Sequence, residues 1–456
     1  MFLALFACVG DDPVPAAVAD DGPPPLHEVW GIAPAEDLDP ADGVVEVHLE
    51  AGETEVDWVE AGPTTVWAYN GQTPGPLLHA RVGDTLRVVL TNTLEDETTI
   101  HWHGLRIPDD QDGVVPMMDP VQPGESFTYE FTLPDAGTFW YHPHVMANEQ
   151  IERGLQGVIV VDEAEVPAVD ADRYFVLDDV LLKDSGAIDG GFRNIAGMDA
   201  MMGRYGNTLL TNGATGTLTA TMRPGSVERW RLLGSANART LYASVKGASW
   251  RVVGSDGGLL PAPYEADPIA LPPGQRYDLE VIAEDDEVTL QVLVPTSNGR
   301  YTRYPAFEAT VEGEPVEPRE VVWPAAALPE VTQAEQLVEL DLDADTSSGA
   351  YVWTINGAAF EEGAAIPLAG KVPTSIRIVE SSGLDHPFHL HGQFFQIVTR
   401  DGEASGEPGL KDTVLVPGLG EVELYTELEN PGRWMAHCHI LEHAELGMMT
   451  EIDVSE

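Results

Sequence analysis

The chain has 456 residues, with 76 acidic against 23 basic side chains and a formal net charge of −53. So acidic a composition excludes nucleic acid as a partner, because phosphate recognition needs a basic footprint. No run of about eighteen apolar residues offers a membrane-spanning helix, and the two cysteines, Cys8 and Cys438, lie at opposite ends and define no disulfide framework.

The first residues, Met1 to Cys8, form a short apolar run closed by Ala7 and Cys8. They have the form of the end of a bacterial lipoprotein signal, although no Lys or Arg precedes Cys8. The expectation is an exported protein, periplasmic or at the cell surface, with Cys8 as the lipidated residue. The stretch from Asp11 to Pro25, rich in Asp, Pro, Ala and Gly, reads as a flexible tether, and residues 1–42 are assigned to this leader.

Beyond it, helical periodicity is scarce and two-residue alternation is common. Leu86, Val88 and Leu90 alternate with Thr85, Arg87 and Val89; Phe127, Tyr129, Phe131 and Leu133 alternate with Thr128, Glu130 and Thr132. Pro-Gly turn signals at 74–75, 123–124, 224–225, 273–274 and 417–418 separate such runs, the pattern of an all-β chain of sandwiches. A faint repeat supports this: Asn70-Gly71, Asn212-Gly213 and Asn356-Gly357 recur about every 140 residues, the size of one sandwich. Three domains are therefore expected at 43–163, 172–313 and 335–456, joined by the acidic segment 162–172 and the Pro/Glu-rich segment 313–335.

Eight of the thirteen histidines fall in four His-x-His pairs: His101/His103, His142/His144, His389/His391 and His437/His439. In a strand, residues i and i+2 share a face roughly 7 Å apart, a spacing that suits neighbouring metal ions better than one shared ion. Four such pairs are far more than chance placement gives. His386 and His443 stand beside the last two pairs, whereas His27, His48 and His79 have no partners at useful spacing. The stretch from His437 to Met448 adds one thiol, Cys438, and one thioether ten residues on. Imidazole with a single thiolate and a distant Met is the ligand chemistry of a blue-copper centre. Because side chains alternate along a strand, Cys438 points away from the face carrying His437 and His439. One strand should therefore touch two metal sites.

His101-Trp102-His103-Gly104, His142-Pro143-His144, His386-Pro387-Phe388-His389-Leu390-His391-Gly392 and the stretch from His437 to Met448 together resemble the four signature motifs of multicopper oxidases. Their order is similar to that of the three-domain, laccase-like bacterial members. The segments Asn70 to Pro76 and Lys411-Asp412-Thr413-Val414 fit the same pattern, and the resemblance spans roughly residues 44 to 455. It implies three consecutive cupredoxin-like Greek-key β-sandwiches and four copper ions per chain. By the family pattern, His386, Cys438 and His443 bind the type 1 copper with Met448 as weak axial ligand. His101 and His389 bind the type 2 copper. His103, His142, His144, His391, His437 and His439 bind the type 3 pair.

The implied reaction takes single electrons from a donor, passes them through Cys438 to His437 and His439, and reduces dioxygen to water. Phenols, aromatic amines and low-valent metal ions such as Cu(I) are the donor classes the resemblance implies; a copper-tolerance protein with little turnover on organic substrates is the second reading. Asp112 falls where relatives carry a proton-relay carboxylate. The second such carboxylate is expected directly after His443, where this chain has Ala444 and then Glu445. Met198, Met201 and Met202 lie in a Gly-rich stretch and read as gap-filling side chains in preference to a Cu(I)-collecting segment. The middle domain carries no His pair, and its expected role is to space the outer two and to shape the surface near His386 and His443.

Overall fold

The computed structural model describes residues 32–296, 299–317 and 319–456; Cys8, His27 and the tether lie outside them. Among the described residues thirty strands build six sheets, two for each sequence block, so the chain folds as three successive β-sandwiches. Each block opens with the same device. Its first strand pairs parallel with a later one: Val44–Ala51 with Thr85–Asn92, Ala171–Leu177 with Glu228–Gly234, and Gln336–Leu342 with Thr374–Glu380.

The Asn-Gly repeat is the second part of that device. Asn70, Asn212 and Asn356 have φ of 53°, 51° and 55°, and the glycines that follow have 73°, 72° and 75°. Two consecutive residues at positive φ make a tight turn that Asn and Gly tolerate best. Each Asn carboxamide then clamps the block's first strand. It accepts from the backbone N–H of Glu50, Val176 or Asp341 at 2.7–2.8 Å and donates to the carbonyl of His48, Tyr174 or Glu339. The dipeptide is thus a structural lock used three times.

The alternating runs bury the faces expected. In Thr85–Asn92 the buried residues are Leu86, Val88, Leu90 and Asn92, and Val88 lies opposite Tyr129, Leu86 opposite Phe131. Each such apolar side chain contributes roughly 1.5–3 kcal/mol by leaving water. Every sandwich has its own core, filled by Trp102, Tyr129 and Phe139 in the first, Phe175, Trp230 and Phe307 in the second, and Phe388, Trp434 and Ile452 in the third. Smaller clusters join the blocks: Trp140 and Val158 meet Tyr174 and Val176, and Ala147 and Ile151 meet Leu441.

The described α-helices are short: Ala147–Glu152, Met198–Met202 and Leu441–Glu445, one in each block. They meet where the three sandwiches converge. There Arg204 of the middle block donates from Nε to Glu152 (2.9 Å) and from its backbone N–H to Glu442 (2.9 Å), while Asn237 donates to the Asn148 carbonyl (2.8 Å). Glu152 takes the guanidinium, while Glu442 is met only by neutral donors, the Arg204 backbone N–H and the Asn237 amide, so a buried carboxylate is left without a cation, which is costly away from water.

Burial pushes the Glu152 carboxyl up from 4.5 to about 7, despite the opposing pull of Arg204. Between those values the folded protein keeps a proton that the unfolded chain has released. Stability therefore falls as pH rises from about 4.5 to about 7 and levels off above, a loss on the order of 3 kcal/mol. Glu152→Gln is expected to remove that part of the slope, measured by urea unfolding at several pH values. An unaltered slope would contradict the assignment.

Candidate metal centre

The four His-x-His pairs sit on strands and strand ends that the sandwiches bring face to face. His101–His103 pairs antiparallel with Gly137–His142, setting His101 opposite His142 and His103 opposite Trp140. His386–Leu390 pairs antiparallel with Gly432–Cys438, setting His389 opposite His437 and Phe388 opposite Cys438. The first and third blocks then close on each other, and the rings interleave. His103 stacks on His389 at 3.7 Å between centroids, and His101 on His391 at 3.9 Å. All of the rings but the half-buried His144 are buried.

One nitrogen of most rings is committed to an acceptor. Nδ1–H of His101 donates to the Asp112 carbonyl (2.9 Å), that of His389 to the Asp412 carbonyl (2.9 Å), that of His142 to the Pro143 carbonyl (3.0 Å) and that of His437 to the Cys438 carbonyl (2.9 Å). His391 Nδ1–H donates to Asp112 Oδ2 at 2.8 Å. His103 uses its other nitrogen, Nε2, against Asp412 Oδ1 and Thr413 Oγ1. These bonds fix tautomers and ring orientation, as partners of metal-binding imidazoles do.

What remains is a set of inward lone pairs with no donor. Nε2 of His101, His142 and His389, Nδ1 of His103 and both ring nitrogens of His439 are buried without a hydrogen-bond partner. Nε2 of His391 and of His437 face each other at 3.0 Å although each ring has already spent its proton on Nδ1. Burial, followed by repulsion from neighbouring rings, holds His103, His142, His144, His391 and His439 well below the ordinary imidazole range, and burial takes His437 down to about 3. Protons therefore do not fill the gap. Each orphaned buried acceptor costs roughly 1–3 kcal/mol, and metal cations answer all of them together. Donor atoms of His101, His103 and His142, of His101, His389 and His391, and of His144, His391 and His437 lie within 4.8 Å of one another in each group.

Cys438 belongs to a second constellation. Its Sγ lies 3.3 Å from His386 Nδ1 and 3.8 Å from His443 Nδ1, and those two nitrogens are 3.2 Å apart. The outer nitrogens are engaged: His443 Nε2–H donates to the Met201 carbonyl at 3.1 Å and His386 Nε2–H to Ser382 Oγ at 3.2 Å. Burial pushes the Cys438 thiol up, and its strongest counterweight is the Ile440 N–H at 3.3 Å. A metal ion is what converts such a thiol to thiolate. Met448 is fully buried in the same core, and its carbonyl accepts from the Cys438 N–H. Trp353 stacks on His443 at 4.0 Å.

Asp112 also joins the histidines, through its carbonyl to His101 and its carboxylate to His391. Its Oδ1 has no partner and lies 3.3 Å from His101 Nδ1. Glu445 is placed differently. It accepts from the Ala147 N–H at 3.0 Å, tying the third block to the helix that follows His144. His48 and His79 pair with Glu46 and Asp162 at the surface, away from the cluster.

The middle block does more than space its neighbours. Arg276, with no exposed surface, donates from Nη1 and Nη2 to the two oxygens of Asp412 at 2.7 and 2.6 Å. Asp412 in turn faces His103 and carries the carbonyl that holds His389. Asp256 accepts the Arg276 backbone N–H at 2.8 Å, and burial pushes it up to about 6. Against the upward push of burial, Arg276 and then His103 hold Asp412 well below the usual carboxylate range. Neither Arg276 nor Asp256 lies in a spaced pattern that sequence reasoning can find; Asp412 lies in a segment that fits the family pattern without a role attached.

The middle block also contributes to the surface beside His443. A cavity of about 360 Å³ opens beside His443, walled by Met202, Tyr205 and Tyr242 of the middle block and Leu384 and Asp385 of the third. The three methionines lie in the helix Met198–Met202. Met198 is exposed, Met202 lines the cavity, and the Met201 carbonyl caps His443.

Comparison with known proteins agrees with this geometry. Three family models, each described as multicopper oxidase, match residues 51–166, 180–305 and 333–456. A multicopper oxidase of Mycobacterium tuberculosis is 31% identical over 84% of this chain and 82% of its own length. Among solved structures, a multicopper oxidase from Campylobacter jejuni, described as a metallo-oxidase, superposes with a TM-score of 0.82 at 26% identity, covering 93% of this chain and 94% of its own. One from Pseudomonas thermotolerans has a TM-score of 0.77 at 31% identity, covering 90% and 99%.

Asp412→Asn, which removes the charge facing His103, is expected to weaken metal binding by the His cluster roughly tenfold to a hundredfold and to leave the Cys438 site loaded. Metal analysis after dialysis against graded chelator measures this; equal retention in both proteins would contradict the role of Asp412.

Proposed function

The chain belongs to the multicopper oxidase family, and we propose that its coppers divide between one site on Cys438 and a three-copper cluster on the four His-x-His pairs. As an oxidoreductase of this family it couples oxidation of a donor to reduction of dioxygen to water, with copper as cofactor. His386, Cys438 and His443 would hold the type 1 copper, with Met448 as a further, weaker ligand. His101 and His389, whose Nε2 atoms are unpartnered, hold the type 2 copper. His103, His142 and His439, whose rings stand 5.1–5.8 Å apart, and His144, His391 and His437 hold the type 3 pair. The domain limits 43–163, 172–313 and 335–456 belong to the same reading, supported by strands that fall within them except that the strand Ala171–Val180 begins one residue earlier.

The observation that carries this reading is the strand Gly432–Cys438 and its extension. Cys438 turns to His386 and His443, while the residues bonded to it on either side, His437 and His439, turn to the other imidazoles. When bound, the coppers accept single electrons and deliver them to dioxygen. The chain supplies a covalent bridge a few bonds long between the two sites and rigid imidazoles that need little rearrangement. It also excludes bulk water from the cluster. Asp112 orients His101 and His391, and its free Oδ1 is where we place a proton on its way to the oxygen-reducing site. Glu445, bound to the Ala147 N–H, is the candidate for the position that Ala444 leaves open.

The donor enters at the cavity beside His443. Its two tyrosines, Leu384 and the Asp385 carboxylate suit a phenol, an aromatic amine or a low-valent metal ion. For localisation we propose export, to the periplasm or cell surface, with Cys8 as a lipid anchor; the support is the sequence of residues 1–25. Among the described residues no helix is long and apolar enough to cross a membrane.

Copper-loaded protein should show an intense blue thiolate band and consume oxygen with a phenol or with Cu(I). Cys438→Ser should lose both while retaining the copper of the His cluster; a blue band that survives the substitution refutes the ligand assignment. Asp112→Asn should slow oxygen reduction by about 10²–10⁴-fold, the usual worth of a positioned proton donor, and leave anaerobic bleaching of the blue band by donor unchanged. Slower bleaching would place Asp112 on the donor side instead.

A further inference from the structure

Behind the Cys438 site lies a carboxylate that the ligand assignment does not use. Glu380 ends the strand Thr374–Glu380, and its side chain has no exposed surface. Oε1 accepts the Ser382 hydroxyl and, at 2.7 Å, the Ser382 backbone N–H. Oε2 accepts the N–H groups of Gly383 (2.8 Å) and Leu419 (2.7 Å). Ser382 Oγ, its own proton given to Glu380, accepts Nε2–H of His386 at 3.2 Å, and Glu380 Oε1 itself stands 3.5 Å from that nitrogen. His386 Nδ1, on the far side of the ring, is the atom facing Cys438 Sγ at 3.3 Å. A directed chain thus runs from the carboxylate through the hydroxyl and the imidazole to the inner nitrogen.

Two features make this more than a turn held by an acid. Among the described residues no Lys or Arg forms an ion pair with Glu380, so its charge is answered only by neutral donors and by the imidazole. Neither the Glu380 side chain nor the His386 ring has exposed surface, so the charge is screened less than it would be in open water. Electron density pushed onto His386 makes Nδ1 a better donor, and it favours whichever state of the bound ion carries more positive charge.

We propose that Glu380, acting through Ser382 and His386, is a positioning residue that sets the redox poise of the Cys438 site, favouring the oxidised over the reduced metal. This rests on the type 1 assignment above. The outer face of His443 has only a neutral carbonyl, that of Met201, so the two imidazoles of the site differ in basicity. Glu380 is the element that makes them differ.

The test is a potentiometric titration of the blue band in copper-loaded wild type, Ser382→Ala and Glu380→Gln. Ser382→Ala removes the hydroxyl bridge and keeps the backbone N–H bonds that shape the turn; Glu380→Gln removes the charge. Both should raise the midpoint potential, shifting the oxidised-to-reduced ratio roughly tenfold at fixed potential, about 59 mV. If Glu380→Gln does not accumulate as folded protein, Ser382→Ala decides alone. A blue band with an unmoved or lowered potential in the variants overturns the proposal and leaves Glu380 as a turn-former. A wild type that holds copper without any blue band overturns the type 1 assignment itself.

Discussion

Unshared lone pairs are the constraint on which the rest of the structure depends. Eight imidazoles are gathered between the first and third sandwiches, six of them with one ring nitrogen already hydrogen-bonded to a carbonyl, carboxylate or hydroxyl. The inward nitrogens then have nothing to accept from, and burial keeps protons off most of them. An apolar cavity of that size would be filled by side chains, and a wet one would offer donors. This one is answered only by cations, and holding it together without them calls for rigid support from outside.

That support comes from all three blocks. Asp112 of the first fixes two rings through its carbonyl and its carboxylate. Asp412 of the third fixes His103 and His389. Arg276 of the second grips Asp412 with two charge-assisted bonds, the strong bidentate geometry. A buried ion pair of this kind adds little net stability against an apolar filling; its value lies in placing an acceptor to within a few tenths of an ångström. The Asn clamps and parallel first strands, repeated in each block, keep the three sandwiches rigid enough for that placement to persist.

In the proposed reading, the strand through Cys438 turns this scaffold into one electron path. Side-chain alternation forces His437 and His439 away from the face that carries Cys438, so the two constellations, each able to hold metal, meet on consecutive residues. The short helices complete the arrangement: Met198–Met202 caps His443, and Ala147–Glu152 and Leu441–Glu445 close the junction around Arg204. The same packing leaves a cavity beside His443.

Sequence alone made the clustered histidines legible because pairs at i and i+2 carry their own geometry, and the Asn-Gly spacing exposed the threefold build. Asp112 was reachable only by analogy with relatives; the fold sets its carboxylate against His391, and its part in moving protons is the reading proposed above. Arg276, Asp256, Glu380 and Ser382 were invisible, since each acts through one tertiary contact across a long stretch of chain and leaves no periodic trace. The helix at Met198–Met202 was hidden for a related reason: five residues between Gly197 and Gly203 owe their helicity to docking on the third block, not to propensity.

The central claim is that the eight histidines form one cluster and reduce dioxygen as a unit. The direct measurement is the ratio of donor oxidised to oxygen consumed by the copper-loaded protein, with hydrogen peroxide assayed in the same vessel. A single cluster fed through Cys438 gives four one-electron donors per oxygen and no peroxide. Two donors per oxygen with peroxide accumulating would mean that the sites act separately, and would contradict the account.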